Sequence, residues 1–255
     1  MTANARAAPS AELAGKVALV TGSTRGIGCG IAHALARVGA SVVVTGRDRD
    51  AAERVAAELP GEAIGMALDV RSSAEVDAVV GATLELRGRI DILVNNAGID
   101  RDAFITRVTD ELWRDVIDTN LSGAFWALRA VTGPMKAAGS GVILNVLSWS
   151  GLRGNPAQAA YASSKAGLLG LTLTAAKELG RFGIRVNGLA PSAETDMVTA
   201  TIAPERYAEY TDRRPLGRAW GTLDEVADGA LFLVSDRSSY VTGQVLNIDG
   251  GLHLH

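Results

Sequence analysis

The sequence is short of the residues that staple, ligate or anchor. A single cysteine, Cys29, excludes an internal disulfide and suits a reducing compartment. Three histidines, two of them in the C-terminal GLHLH, show no metal-ligand spacing with cysteine or carboxylates, so no metal is expected. A net charge of −3 provides no global attraction to nucleic acid or to an anionic membrane, and neither is expected as a partner. No apolar run has the length to span a bilayer, and the opening MTANARAAPSAELAG lacks the apolar core of a secretory leader. The expectation is a cytoplasmic protein with a flexible arm over residues 1–12. Internal repeats, low-complexity tracts and Pro/Ser-rich linkers are also missing, so nothing divides the chain into separate domains.

What is present is a rhythm. KVALV, SVVVT, AIGMAL, IDILV, GVILNV, IRVNGL and QVLNI are short β-branched runs, mostly separated by room for a helix. That alternation predicts an α/β fold: one domain, a doubly wound parallel sheet of about seven strands, helices on both faces. The first helix carries Ile27, Ile31, Leu35 and Val38 on one face before GA ends it. The longest stretch without a strand runs from Ala190 to Gln244. Its helical patterns, around PERYAEYTDR and TLDEVADGALFLVS, suit a lid or substrate wall.

The segment ALVTGSTRGIGCGIAHAL reads as strand, glycine-rich turn, helix. Its glycines at 22, 26 and 28 let a diphosphate approach the backbone, and the helix N-terminus offers free N–H groups. The spacing differs from GxGxxG, because Ile31 stands where that pattern has its last glycine. A tight strand–helix turn is the plain alternative. DV at 69–70 follows the third strand, NNAG at 95–98 follows the fourth, and DTNL at 118–121 precedes the fifth. Ligands of open parallel sheets lie beyond the carboxyl ends of the strands, where these segments fall. In YASSK, Tyr161 and Lys165 stand four apart on an expected helix and share one face. Alone, such a pair equally describes a half-buried ring beside a solvated amine.

Taken together, TGSTRGIG, NNAG, DTNL, Ser148, YASSK and YVTGQVLNIDGG resemble the short-chain dehydrogenase/reductase family, in its order and spacing, from about Leu13 to the C-terminus. The resemblance implies a Rossmann-type domain over 13–255, with a cofactor half at about 13–150 and a catalytic and substrate half at about 140–255. It implies a catalytic group of Asn120, Ser148, Tyr161 and Lys165. Hydride delivery to a ketone leaves negative charge on oxygen, so Tyr161 is the expected proton donor and Lys165 the cation that eases phenolate formation. Ser148, thirteen residues before Tyr161, is expected to hold the substrate oxygen, with Ser150 its nearby competitor. Asn120 is expected to bend its helix and hold a relay water.

The resemblance also implies a nicotinamide cofactor. Its phosphates are expected on Gly22, Ser23, Thr24, Arg25, Gly26, Ile27 and Gly28. Asp69 and Val70 should flank the adenine, Asn95, Ala97 and Gly98 the adenosine ribose, Tyr161 and Lys165 the nicotinamide ribose, and Pro191 and Thr195 the nicotinamide. Arg47 after the second strand, with Arg25 in the loop, favours the 2′-phosphate of NADP over NAD. Asp48 is the competing ribose ligand. A homotetramer, or sometimes a dimer, across the helices after the fourth and fifth strands is implied.

Two departures border the expected pocket: PS at 191–192 replaces the family's PG, and RAWGTLDE carries an extra alanine. The leading expectation is an NADPH-dependent reductase similar to 3-oxoacyl-[acyl-carrier-protein] reductases, acting on a small ketone or alcohol substrate. Alternatives are a dehydrogenase of a free secondary alcohol, sugar or polyketide intermediate, and a catalytically silent cofactor-binding subunit. Only Lys136, Lys177 and Arg181 are available to attract an acidic acyl carrier protein, so such a partner is expected to add little.

Overall fold

The computed structural model describes residues 11–195 and 207–253. All seven expected strands form: β1 (Val17–Val20), β2 (Ser41–Gly46), β3 (Ile64–Ala67), β4 (Ile92–Asn95), β5 (Gly141–Val146), β6 (Ile184–Pro191) and β7 (Val245–Ile248). They make one parallel sheet in the order β3-β2-β1-β4-β5-β6-β7. The helices are α1 (Gly26–Arg37), α2 (Arg49–Glu58), α3 (Ser73–Arg87), α4 (Asp110–Ile117), α5 (Gly123–Ala138), α6 (Ser150–Arg153), α7 (Ala159–Leu179), α8 (Tyr207–Asp212) and α9 (Leu223–Val234).

Two cores follow from strand alternation. Ala18 and Val20 of β1 join Val42, Val44 and Val94 beneath Ile31 and Leu35 of α1 and Val226 and Leu233 of α9. Leu19, Val43, Leu93 and Ile143 face the other way, onto Val76 and Val80 of α3, Val131 and Met135 of α5 and Ala176 of α7. Each fully buried leucine or isoleucine here contributes about 2 kcal/mol. The first-helix pattern is as read: Ile31 and Leu35 are buried, and Ile27 and Val38 pack at their margin. Helix ends obey local chemistry too. Ser72, Thr109 and Thr222 cap α3, α4 and α9 with side-chain oxygens, and Gly88 and Gly139 end α3 and α5 in the left-handed conformation.

Residues 1–10 of the expected arm and residues 196–206 of the expected lid lie outside the described residues. At the arm's inner end, Glu12 pairs with Arg237 at 2.6 Å and the Leu13 N–H donates to Val38 at 2.9 Å. Residue 12 is therefore fastened to the domain. No helix among the described residues is long and apolar enough to cross a membrane.

The order reverses between β1 and β4, so their carboxyl ends open a crevice. The opposite end is pinned by buried Asp91, which accepts the Val17 N–H at 2.9 Å and the Arg89 Nε–H at 2.8 Å, with Lys16 3.7 Å away. Asp91→Ala strips that N–H and both cations of their acceptor. The variant should lose about 2–4 kcal/mol of stability in urea unfolding, and Asp91→Asn less.

Candidate active site

The turn after β1 is shaped by contact with the β4 turn. Gly22 has φ +62°, and a Cβ there would lie 2.7 Å from the Ala97 Cα. A Cβ on Gly28 would collide with the Asn96 amide and lie 2.6 Å from the Gly22 carbonyl. Asn96 does the clamping: its Nδ2 donates to the Thr21 and Gly22 carbonyls at 3.0 and 2.8 Å, and its N–H donates to Thr21 Oγ1 at 3.0 Å. Gly26 and Ile27 open α1, whose N-cap Arg25 is extended and makes no side-chain cap bond; its first turn holds no acid. The first N–H groups of α1 are thus open to an anion, whereas Asp48, Ser72, Thr109 and Thr222 close theirs.

Two expected cofactor side chains are committed elsewhere. Ser23 is buried, its Oγ donating to the Val20 carbonyl at 2.8 Å and accepting the Thr45 N–H at 3.0 Å. Asn95 is buried and donates to Asn145 Oδ1 at 2.9 Å and the Ala124 carbonyl at 3.2 Å. Both stitch strand ends together, so only their main chains border the crevice. Sequence spacing marked the NNAG turn, but strand alternation decides which asparagine turns inward.

Beyond β2, Arg47 is exposed, as is Arg25. Thr24 sits over Gly46, where a Cβ would lie 2.6 Å from its methyl. Asp48 accepts the Ala51 N–H at 3.2 Å as the cap of α2, which occupies the acid that competed with Arg47. Asp69 is gripped by the Arg71 guanidinium at 2.6–3.0 Å, which holds its carboxyl below the usual range. Val70 packs against Gly123, where a Cβ would lie 2.8 Å from it. Gly98 faces the Asn120 Oδ1, 3.3 Å from the position of a Cβ.

The loop after β5 and the start of α7 bring Ser148, Tyr161 and Lys165 together. The Ser148 hydroxyl stands beside the Tyr161 hydroxyl, near enough to act on its ionisation, and its Oγ accepts the Ser150 N–H at 3.2 Å. Ser150 instead donates to Gln158 Oε1 at 3.0 Å and accepts from Asn155 Nδ2 at 2.8 Å, so the competing serine belongs to the loop. Lys165 is buried; its Nζ donates to the Val146 carbonyl at 2.7 Å and stands 5.7 Å from the centre of the Tyr161 ring. Asn120 lies in a π turn, Asp118–Ser122, that widens the helix between α4 and α5. Its side chain accepts the Ile99 N–H at 2.8 Å and donates to the Ile99 carbonyl at 2.9 Å and to Ser164 Oγ at 3.0 Å. The expected bend is present, and the side-chain amide is engaged by the Ile99 main chain and Ser164.

Burial pushes Tyr161 up to about 12, the Asp100 charge adds to this, and the neighbouring Ser148 hydroxyl opposes it. Burial also pushes Lys165 down to about 8, against the pull of Asp100. In the protein alone, loss of water is the largest influence on both groups.

At the end of β6, Pro191–Ser192 needs no positive φ. The Ser192 N–H donates to the Ile248 carbonyl at 2.8 Å, its carbonyl accepts the Gly221 N–H at 3.0 Å, and its Oγ accepts from Arg214 at 2.9 Å. The replacement of glycine is therefore absorbed by continued strand pairing, with Thr195 four residues beyond Pro191 at the border of the described chain. Residues not singled out by sequence line this side. Trp149 stacks on His253 at 4.4 Å, His253 bonds Asp249 at 2.8 Å, and Trp220 packs with Tyr207, Tyr210 and Arg214. Isolated aromatics far apart in the chain carry no spacing signal. Lys136 and Arg181 lie over Phe182, at the ends of α5 and α7 remote from Ser148 and Tyr161. They do not rim this chain's own pocket.

A helix with open N–H groups facing a crevice that also holds a serine–tyrosine pair over a buried lysine defines an α/β dehydrogenase. A family model described as "Enoyl-(Acyl carrier protein) reductase" matches residues 22–253. The chain belongs to the short-chain dehydrogenase/reductase family. It is 45% identical over 245 residues to the 3-oxoacyl-[acyl-carrier-protein] reductase FabG of Chlamydia muridarum, covering 94% of this chain and 98% of that one. The FabG of Escherichia coli is 40% identical over 241 residues, covering 94% and 98%. Among solved structures, a putative short-chain alcohol dehydrogenase from Sinorhizobium meliloti superposes with TM-score 0.91 at 37% identity, covering 96% and 98%. A gluconate 5-dehydrogenase from Burkholderia cenocepacia, in complex with NADP and tartrate, gives 0.90 at 37%, covering 96% and 97%.

Proposed function

We propose that the protein is an NADPH-dependent ketoreductase that reduces a β-keto acyl thioester, or a related β-keto compound, to the 3-hydroxy product. The observation that carries this reading is the Ser148–Tyr161 hydroxyl pair held over buried Lys165 at the carboxyl ends of the strands. The two FabG relatives support the substrate class, and the NADP complex of the gluconate 5-dehydrogenase supports the cofactor.

The residues fit a dinucleotide. The turn after β1 leaves no room for a side chain at Gly22 or Gly28 and exposes uncapped N–H groups, which suits a diphosphate. Exposed Arg25 and Arg47 suit a 2′-phosphate, while the α2 cap keeps Asp48 from competing. Lys165 would hold the nicotinamide ribose, and the main chain at Pro191 and Thr195 the carboxamide side. When bound, the cofactor supplies the hydride that the carbonyl carbon accepts.

The chain's own residues do the rest. Ser148 and Tyr161 place two hydroxyl donors on one carbonyl oxygen, polarising it before reaction. Tyr161 then gives its proton to that oxygen as charge develops. Lys165 stabilises the resulting phenolate, which regains a proton from solvent past the Asn120 turn. Oxidation of the alcohol runs these steps in reverse and needs the phenolate first. A second reading, oxidation of a free polyol or sugar acid, is favoured by the gluconate 5-dehydrogenase likeness. A silent structural role has no physical use for the assembled donor pair and lysine. Exposed Trp113 and Phe125, on α4 and α5, support a homotetramer built on those helices.

Three measurements test this. Wild-type protein should reduce β-keto thioesters and esters with NADPH, and Tyr161→Phe should abolish turnover while leaving cofactor binding intact; more than a few per cent residual activity rules out tyrosine as the acid. Arg47→Leu should cut the NADPH/NADH preference in kcat/KM more than tenfold, since each charge-assisted bond carries roughly 1.5–3 kcal/mol. Gly46 is better left unchanged, because any side chain there meets Thr24. Finally, attaching the same acyl group to an acyl carrier protein should raise kcat/KM little over a short thiol mimic. A large, salt-sensitive gain would show that basic residues of the assembled oligomer recruit the carrier.

A further inference from the structure

One acid at the site has no part in the proton transfer to substrate. Asp100 follows Ile99, whose N–H and carbonyl are both held by Asn120, so its backbone is fixed. Its Oδ2 accepts from Gln158 Nε2 at 2.6 Å. Gln158 stands at the head of α7, three residues before Tyr161, and its Oε1 accepts from Ser150 and Asn155. The neighbouring Ala103 N–H donates to the Ala157 carbonyl at 2.8 Å, tying the same two loops a second time. The residue is half-buried, and its other carboxylate oxygen, Oδ1, is shut away from solvent without a hydrogen-bond partner among the described residues. The fold thus keeps a carboxylate beside the catalytic pair and leaves half of it unsatisfied.

The charges around it explain what such a group would do. Lys165 is buried, its Nζ has the neutral Val146 carbonyl as acceptor, and Asp100 is the anion whose field reaches it. Asp100 also reaches Tyr161. From its own loop, the Asp102 carboxylate faces Asp100 as a like charge and the Arg101 N–H stands near it without completing a hydrogen bond; from α7 come Lys165, Tyr161 and the Gln158 amide.

We propose that Asp100 is a positioning residue of the reaction: clamped to the head of α7 through Gln158, it is the counter-ion that keeps the Tyr161–Lys165 pair in its proton-donating form. The proposal rests on the ketoreductase reading of the same site. A dry lysine is useful to a phenolate only while charged, and a fixed carboxylate holds the proton on it. The same negative charge opposes loss of the Tyr161 proton before the substrate oxygen calls for it. Burial and Asp102 push Asp100 itself up to about 6, so the counter-ion is charged through the neutral range and lost below it.

The chain has four lysines, so protein labelled with ¹³C at lysine Cε gives a countable set of signals, with Lys165 assigned from Lys165→Met. Its titration midpoint is read in wild type, Asp100→Asn, Asp100→Ser and Asp100→Glu. Asn and Ser keep an acceptor for Gln158 but no charge, so in either the Lys165 midpoint should fall by on the order of one pH unit. Glu keeps the charge and should recover part of that fall. In parallel, the high-pH limb of kcat/KM for ketone reduction should move to lower pH in Asn and Ser, and the difference from wild type should shrink towards pH 5 as the wild-type Asp100 loses its charge. An unchanged lysine midpoint in a folded Asn or Ser variant overturns the proposal, as does an equal fall in Glu. The titration needs no substrate, so its outcome is separate from the activity tests: full turnover by Tyr161→Phe sinks tyrosine as the acid, and failure of the wild type to reduce any β-keto compound sinks the ketoreductase reading, whatever the lysine does.

Discussion

The pairing of β1 with β4 is the constraint on which the site depends. Val20 lies beside Val94, and the chain leaves both strands at the same level. From there two turns must cross at backbone contact, which only small residues permit: Gly22 against Ala97, Gly28 against Asn96. The Asn96 amide then replaces the hydrogen bonds that the departing backbone of Thr21 and Gly22 would otherwise lack. Because the sheet order reverses here, no crossover helix covers the crevice, and α1 points its open N-terminus into it.

Loss of water governs the chemical end. Removing it from Tyr161 and Lys165 moves both toward their neutral forms, the phenol upward to about 12 and the amine downward to about 8. A dry site strengthens every remaining interaction, so the Val146 carbonyl, the Ser148 hydroxyl and the Asp100 carboxylate matter more there than they would at the surface. Even so, desolvation outweighs these contacts in the protein alone. Positive charge from a bound, oxidised nicotinamide would act on the tyrosine in the opposite sense.

The loop between α6 and α7 shows how the geometry is held. Ala157 takes φ +66°, uncommon for a residue with a side chain. It is kept there by the bond from Ala103 to its carbonyl and by the Ser150–Asn155–Gln158–Asp100 network on either side. Strain of this kind persists where surrounding contacts over-determine the backbone, and here they also fix the register at which Tyr161 begins its helix.

Much of this was legible in the sequence. Seven β-branched runs became seven strands because their periodicity and their glycine punctuation are local properties, readable without knowing the neighbours. The ordered segments from TGSTRGIG to YASSK placed the crevice, and their resemblance to the short-chain dehydrogenase/reductase family implied the Ser148–Tyr161–Lys165 group that the fold brings together. Tertiary structure alone decided the rest. Whether Asn95 or Asn96 faces the crevice depends on the pleat of β4, and whether Ser148 or Ser150 meets the tyrosine depends on what Asn155 and Gln158 claim first. Asp48 and Ser23 look free in the sequence and are taken by a helix cap and a strand end. Asp100 carries no signal of its own: a carboxylate becomes a counter-ion only when folding removes much of its water and brings a lysine sixty-five positions later into its field.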